Sequence, residues 1–187
     1  MPSPESRAMP RKPKMEDAPP SASLAAAMDH VYAMPGHLFR RMQQIAVAVF
    51  MEECKAYDMT PVQYAALVAI RAHPGIDATR LSAVIAFDRS TLGSVIERLE
   101  SKGLLERKAG AGDKRVKLLH LTTPGAAELR EVEPLVAQAQ LRMLQPLKPA
   151  DRKTLLALMA QLVDLNNDAS RAPLRAEDAI QHLHKSK

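Results

Sequence analysis

Tryptophan is absent from this sequence of 187 residues, and aromatic residues make up only 3% of it. A core with so few rings must be built from Ala, Leu and Met, which favours helices over sheets. Cysteine is nearly absent too. Cys54 stands alone, which excludes a disulfide framework or a thiolate zinc cluster within one chain. No apolar run reaches the roughly 18 residues needed to span a bilayer. The N-terminus carries charges and prolines where a signal peptide needs a continuous apolar region. The expectation is a soluble, cytoplasmic protein without a membrane partner. Catalytic signatures are missing as well: HExxH, GxSxG and Cys-x-x-Cys do not occur. The stretch GAGDKR (110–115) lacks the Ser/Thr that follows Lys in a phosphate loop, and it leads into a strand pattern. His182 and His184 have neither helical spacing nor neighbouring cysteines, so a zinc site is not expected. These absences point away from an enzyme, and no cofactor is expected.

What is present is hydrophobic patterning with a modest positive charge. Lys and Arg total 26 against 21 Asp and Glu, a net charge of +5. Such an excess implies an anionic partner only where it is concentrated. Residues 1–23 hold six prolines and scattered charge, and read as a disordered tail. Pro35 suits the first turn of a helix that should run to about Tyr57. Its centre, IAVAVFM (Ile45–Met51), is apolar on every side, and such a helix is normally enclosed on every side. One small domain could hardly wrap it, so a partner subunit is inferred. Thr60 and Pro61 open a helix to about Ala72, which His73-Pro74-Gly75 stops.

Asp77 then caps a short helix with Leu81, Val84 and Ile85 on one face. After the turn Ala86-Phe87, Asp88 caps a second helix carrying Leu92, Val95, Ile96 and Leu99 at helical spacing. Lys102-Gly103 ends it. Leu104–Lys108 and Arg115–Leu121 flank the tip AGAGDK, which predicts a two-stranded hairpin. Thr123-Pro124 opens a helix to about Leu144, in which Pro134 predicts a kink or a break. Pro149-Ala150-Asp151 starts another, with Leu155, Leu158, Met159, Leu162 and Leu165 as its stripe. After Asn166 the chain turns polar, with a loose final turn or two expected over Ala176–His184. The expected fold is mainly α with a small β-hairpin wing.

The order of short helix, tight turn, second helix and basic hairpin carries the function. Opposite its apolar stripe, the second helix presents Arg89, Ser90, Thr91, Gly93, Ser94, Glu97 and Arg98. Short hydrogen-bonding groups near a helix N-terminus suit a major groove, which admits one helix and offers donors and acceptors on base edges. That N-terminus itself favours a phosphate oxygen. Lys114 and Arg115, on the hairpin tip, can reach a neighbouring minor groove or phosphate. Between Asp77 and His120 nine Lys/Arg face six Asp/Glu, so the signal lies in arrangement more than in charge.

These residues resemble the MarR family of winged-helix regulators. The likeness runs from about Pro35 to Leu165 and is carried by Met59–Ile70, Leu81–Lys108 and Gly112–Gly125. The family's acidic residue, two basic residues, strand, Leu-Thr and Gly recur as Asp113, Lys114, Arg115, Leu121, Thr122 and Gly125. The resemblance implies a homodimer with intertwined terminal helices and two winged helices on a palindromic DNA operator. On that pattern residues 24–58 and 123–168 hold the dimerisation helices, 59–122 the DNA-binding domain and 169–187 a polar tail. Arg115 would enter the minor groove, and Asp88 would orient it through a salt bridge. Base and phosphate contacts would fall to Arg89, Ser90, Thr91, Ser94 and Arg98. Ser94 departs from relatives that carry Arg there, so base preference is not transferred.

PGHLFRRMQQIAVAVF (Pro35–Phe50) together with TPVQYAAL resembles, within the family, repressors of nicotinate degradation that respond to 6-hydroxynicotinate. The resemblance implies a small aromatic acid held where the dimer helices meet the winged domain. An anionic ligand wants Arg or His near an apolar wall. The candidates are His37, Arg40, Arg41, Gln44 and Tyr64, the first four within about one helical face. The competing reading pairs Arg40 and Arg41 with acidic groups and makes His37 structural. Two alternatives stand beside the ligand-released repressor. One is a redox-responsive regulator acting through Cys54, although a sensor thiol needs a lowered pKa and a resolving partner. The other is a winged-helix interaction module that does not bind DNA.

Overall fold

The computed structural model describes residues 20–110 and 115–177, so Lys114 and residues 178–187, His182 and His184 among them, lie outside the described residues. The chain divides into two compact units, Met1–Gln43 and Gln44–Lys187. In the first unit, helix α1 covers Pro20–Ala33, and α2 begins at Pro35 and continues to Glu53 in the second. The helix α1 begins inside the stretch read as a disordered tail. Its run SASLAAAM is rich in alanine, the best helix former, which the proline count of residues 1–23 obscured. The rings of Tyr32 and His37 lie 5.4 Å apart, centroid to centroid.

In the second unit α2 ends four residues earlier than Tyr57, and a 3-10 turn over Lys55–Tyr57 follows it. Asp58, at φ 45°, turns the chain into α3 (Pro61–Ala72). Thr60 and Gln63 form a reciprocal capping box there, which satisfies two otherwise unpaired backbone donors. Strand β1 (Ile76–Asp77), α4 (Ala78–Val84), α5 (Arg89–Ser101), β2 (Leu105–Ala109) and β3 (Lys117–Leu121) complete the central module. Helices α6 (Thr123–Leu144) and α7 (Pro149–Leu165) follow, and a 3-10 turn covers Asn167–Ala169.

The sheet has three antiparallel strands in the order β1-β3-β2, where the sequence predicts two. Ile76 pairs with Leu119 and Asp77 with Leu118, a strand too short to show any alternation. In the hairpin, Leu105 faces Leu121 and Ala109 faces Lys117. One core joins the module. Leu67 and Ile70 of α3, Ile76, Leu81 of α4, Leu92, Ile96 and Leu99 of α5, Leu119 of β3, and Leu129 and Val132 of α6 all sit within it.

Helix α6 runs unbroken through Pro134. The face bearing Leu129, Val132, Val136 and Ala139 is buried while Pro134 is exposed, so packing on one side holds the helix across the lost hydrogen bond. Gly125 is fixed by its neighbour: a Cβ there would lie 1.9 Å from the Leu104 carbonyl oxygen. Thr122 binds the same junction, since its hydroxyl accepts from Gly125 N–H at 3.0 Å and donates to the Gly103 carbonyl at 2.6 Å. The wing is thereby locked to the start of α6.

Candidate nucleic-acid interface

Two caps start the helix pair. Asp77 accepts from the backbone N–H groups of Thr79 and Arg80 at 2.8 and 3.0 Å and starts α4. Between the helices Ala86 takes φ 49°, a conformation that costs an alanine about 1–2 kcal/mol relative to glycine. The turn is stapled on both sides. Phe87 N–H donates to the Ser82 carbonyl at 3.0 Å, and Ser82 Oγ donates to the Phe87 carbonyl at 2.9 Å. Asp88 then accepts from Ser90 N–H at 2.8 Å and from Ser90 Oγ at 2.5 Å, which starts α5. The Ser90 hydroxyl and amide, with help from Arg171, hold the Asp88 carboxyl below its ordinary range.

Leu92, Val95, Ile96 and Leu99 point α5 into the core, as their spacing predicts. The opposite face is open: Arg89, Ser90, Thr91, Gly93, Ser94, Glu97 and Arg98 are all exposed. Ser94 Oγ donates to the Thr91 carbonyl at 2.8 Å, which keeps the side chain flat on the helix. The far end of α5 is moored by Lys102. Its Nζ donates to the Asp58 carbonyl at 2.5 Å and pairs with Asp58 Oδ2 at 2.9 Å. Helix α5, capped at one end and tied at the other, thus presents one slim polar face. Arg115 is exposed at the wing, just before β3. On the wing itself Arg107 pairs with Glu100 of α5 at 3.0 Å, and Lys108 with Glu106 at 2.7 Å.

The candidate ligand residues divide between the units. His37, Arg40 and Arg41 belong to the first, on successive turns of α2. Gln44 and Tyr64 belong to the second, where the Tyr64 ring lies 6.1 Å from that of Phe50. Burial, with the charge of Glu133 behind it, pushes the Tyr64 hydroxyl above its usual pKa. His37 Nε2 is buried and has no hydrogen-bond partner among the described residues. An orphaned polar atom of this kind calls for a missing partner. Cys54 is fully buried, and burial, with Glu53 beside it, pushes its thiol pKa up. Both features oppose a thiolate sensor.

One contact at the N-cap of α5 is not foreshadowed by the sequence. Arg171, beyond α7, approaches Asp88 to 3.8 Å. Its only sequence signal was a lone arginine in a polar stretch.

A helix-turn-helix bearing an antiparallel wing, with its second helix solvent-facing and polar, defines a winged-helix DNA-binding protein. Residues 57–116 match the model of the MarR family. The chain is 28% identical over 151 residues to the HTH-type transcriptional repressor NicR of Pseudomonas putida, covering 81% of this chain and 96% of that one. It is similar to the structure of Bordetella bronchiseptica BpsR, whose DNA binding is regulated by 6-hydroxynicotinic acid. There the TM-score is 0.66 at 30% identity, over 71% of this chain and 95% of that one. A mutant of MarR from E. coli, complexed with operator DNA, gives a TM-score of 0.63 at 30% identity, over 68% and 92% of the two chains. The chain belongs to the MarR family and is a DNA-binding transcriptional regulator.

Proposed function

We propose that the chain is a homodimeric repressor released from a palindromic operator by a small aromatic carboxylate of the 6-hydroxynicotinate kind. Each subunit lays α5 in a major groove, with Arg89, Ser90, Thr91, Ser94 and Arg98 toward bases and phosphates. The wing, with Lys114 and Arg115, follows the adjacent backbone or minor groove, and Asp88 orients it. The observation that carries this reading is the exposed, slender polar face of α5 between two fixed ends.

A second copy is favoured by α7. None of its 17 residues is buried, yet Leu156, Leu158, Leu162, Val163 and Leu165 are among its exposed side chains. So large an apolar face on one helix needs a cover, and a second copy of the same helix supplies one of matching chemistry. The ligand reading draws support from His37, whose buried Nε2 has a hydrogen bond to spare, and from the likeness to BpsR. A ligand acts by binding one spacing of the two reading heads better than another.

Fluorescence anisotropy on DNA from upstream of the protein's own gene, across a salt series, tests the reading. Affinity should fall steeply with salt. Arg115→Ala should weaken binding on every sequence, whereas Ser94→Ala should mainly alter base preference. Saturating 6-hydroxynicotinate should raise the thermal midpoint and release the DNA. Binding indifferent to both substitutions would contradict the groove assignment, and an inert ligand would remove the effector.

A further inference from the structure

The segment over residues 167–175, beyond α7, does not trail away. It turns back and docks on the helix-turn-helix of its own subunit. Asn167 closes the return by pairing with the backbone of Leu174 in both directions: Oδ1 accepts from Leu174 N–H at 2.8 Å, and Nδ2 donates to the Leu174 carbonyl at 3.2 Å. Ser170 Oγ accepts from Ala172 N–H at 3.1 Å, and the Arg175 guanidinium pairs with Asp168 at 2.8 Å. The folded strap then makes a backbone contact with α4: Arg175 N–H donates to the Ala83 carbonyl at 3.0 Å. Ala83 lies in the last turn of α4, where carbonyls have no partner within the helix. The strap therefore caps α4 from outside the module.

This docking carries Arg171 to the start of α5, 3.8 Å from Asp88 Oδ2, with its side chain 93% exposed. An ion pair that long and that open contributes little to folding. Its position matters more than its strength. Asp88 places a negative charge at the end of the helix that approaches DNA, where that charge would repel a phosphate. Ser90 occupies one carboxylate oxygen, and Arg171 faces the other. Arg175 is engaged by Asp168, whereas Arg171 is the more exposed of the two strap arginines.

We propose that residues 167–175 form a strap whose Arg171 is an additional DNA-backbone contact, offsetting the charge of Asp88 and binding the phosphate beside the N-terminus of α5. This rests on the reading of α5 as the groove helix. It also links the end of the dimerisation helix to the reading head through a set of defined hydrogen bonds.

The full-length protein, its Arg171→Ala and Arg171→Glu variants, and Asn167→Ala would be compared on one operator duplex from about 50 to 200 mM salt. Each phosphate that a variant no longer neutralises takes about 0.9 from the salt slope, so a dimer giving up two should show a slope lower by about 2. The affinity gap between wild type and Arg171→Ala should then narrow roughly tenfold across that range. Arg171→Glu should bind more weakly still, and Asn167→Ala should lose part of the same slope with Arg171 intact. Thermal midpoint and subunit mass should stay unchanged in the Arg171 variants. A wild-type slope retained by Arg171→Ala would overturn the strap contact alone. Duplex binding by wild type that ignores salt would overturn the groove reading with it.

Discussion

Glu128 shows how a single side chain in this fold can work against it. It lies on α6, partly buried, and burial, reinforced by Glu131 and opposed by Lys102, raises its pKa above the ordinary carboxylate range. A carboxyl whose pKa rises on folding is penalised when ionised, so it destabilises at neutral pH and stops doing so as pH falls through the raised value. Glu128→Gln should raise the thermal midpoint at pH 7 by about 1–2 °C. That advantage should disappear in acid, in a melting series from pH 7 to below the carboxylate range. An advantage constant across the series would assign the effect to something other than charge. At this scale the sequence is highly legible where the chemistry is local. Asp77, Asp88 and Thr60 announce their helix starts, because a capping residue needs only its own neighbours. Gly125 is different, because its constraint comes from the Leu104 carbonyl twenty-one residues away in sequence.

Elements were legible in proportion to their length and period. The stripe Leu92, Val95, Ile96, Leu99 fixed both the helix and its buried face, and all four are buried. Strand β1 has two residues and exists because Leu119 and Leu118 give it partners, which no local pattern encodes. The strap is similar: its hydrogen bonds join Asn167 to Leu174 and Arg175 to Ala83, and a polar stretch conceals them. Pro134 is expected to kink or break α6, and the break does not occur. Local rules end a helix there, but the buried side of α6 keeps the backbone helical beyond it. Pro134→Ala restores a hydrogen bond on an exposed face and should stabilise the protein by about 1–3 kcal/mol in urea unfolding. A neutral or destabilising result would mean that the proline shapes a bend the fold requires.

At the scale of the whole molecule, apolar surface left exposed on the chain is the main clue. Ile45 on α2, Leu141 on α6 and the row along α7 are exposed. The sequence hinted at this in IAVAVFM, a helix centre apolar on every side, although it could not say that α7 would expose more. Among the described residues no helix is long and apolar enough to cross a membrane. A symmetric pair would also give the two α5 helices a common axis, and so a palindromic target. Hydroxyl-radical footprinting on the DNA upstream of the gene tests this most directly. Two protected patches related by a dyad and centred about 10 base pairs apart are expected, both lost when Val163→Glu splits the proposed dimer. A single unpaired patch, or a paired footprint from a protein shown to be monomeric, would contradict it.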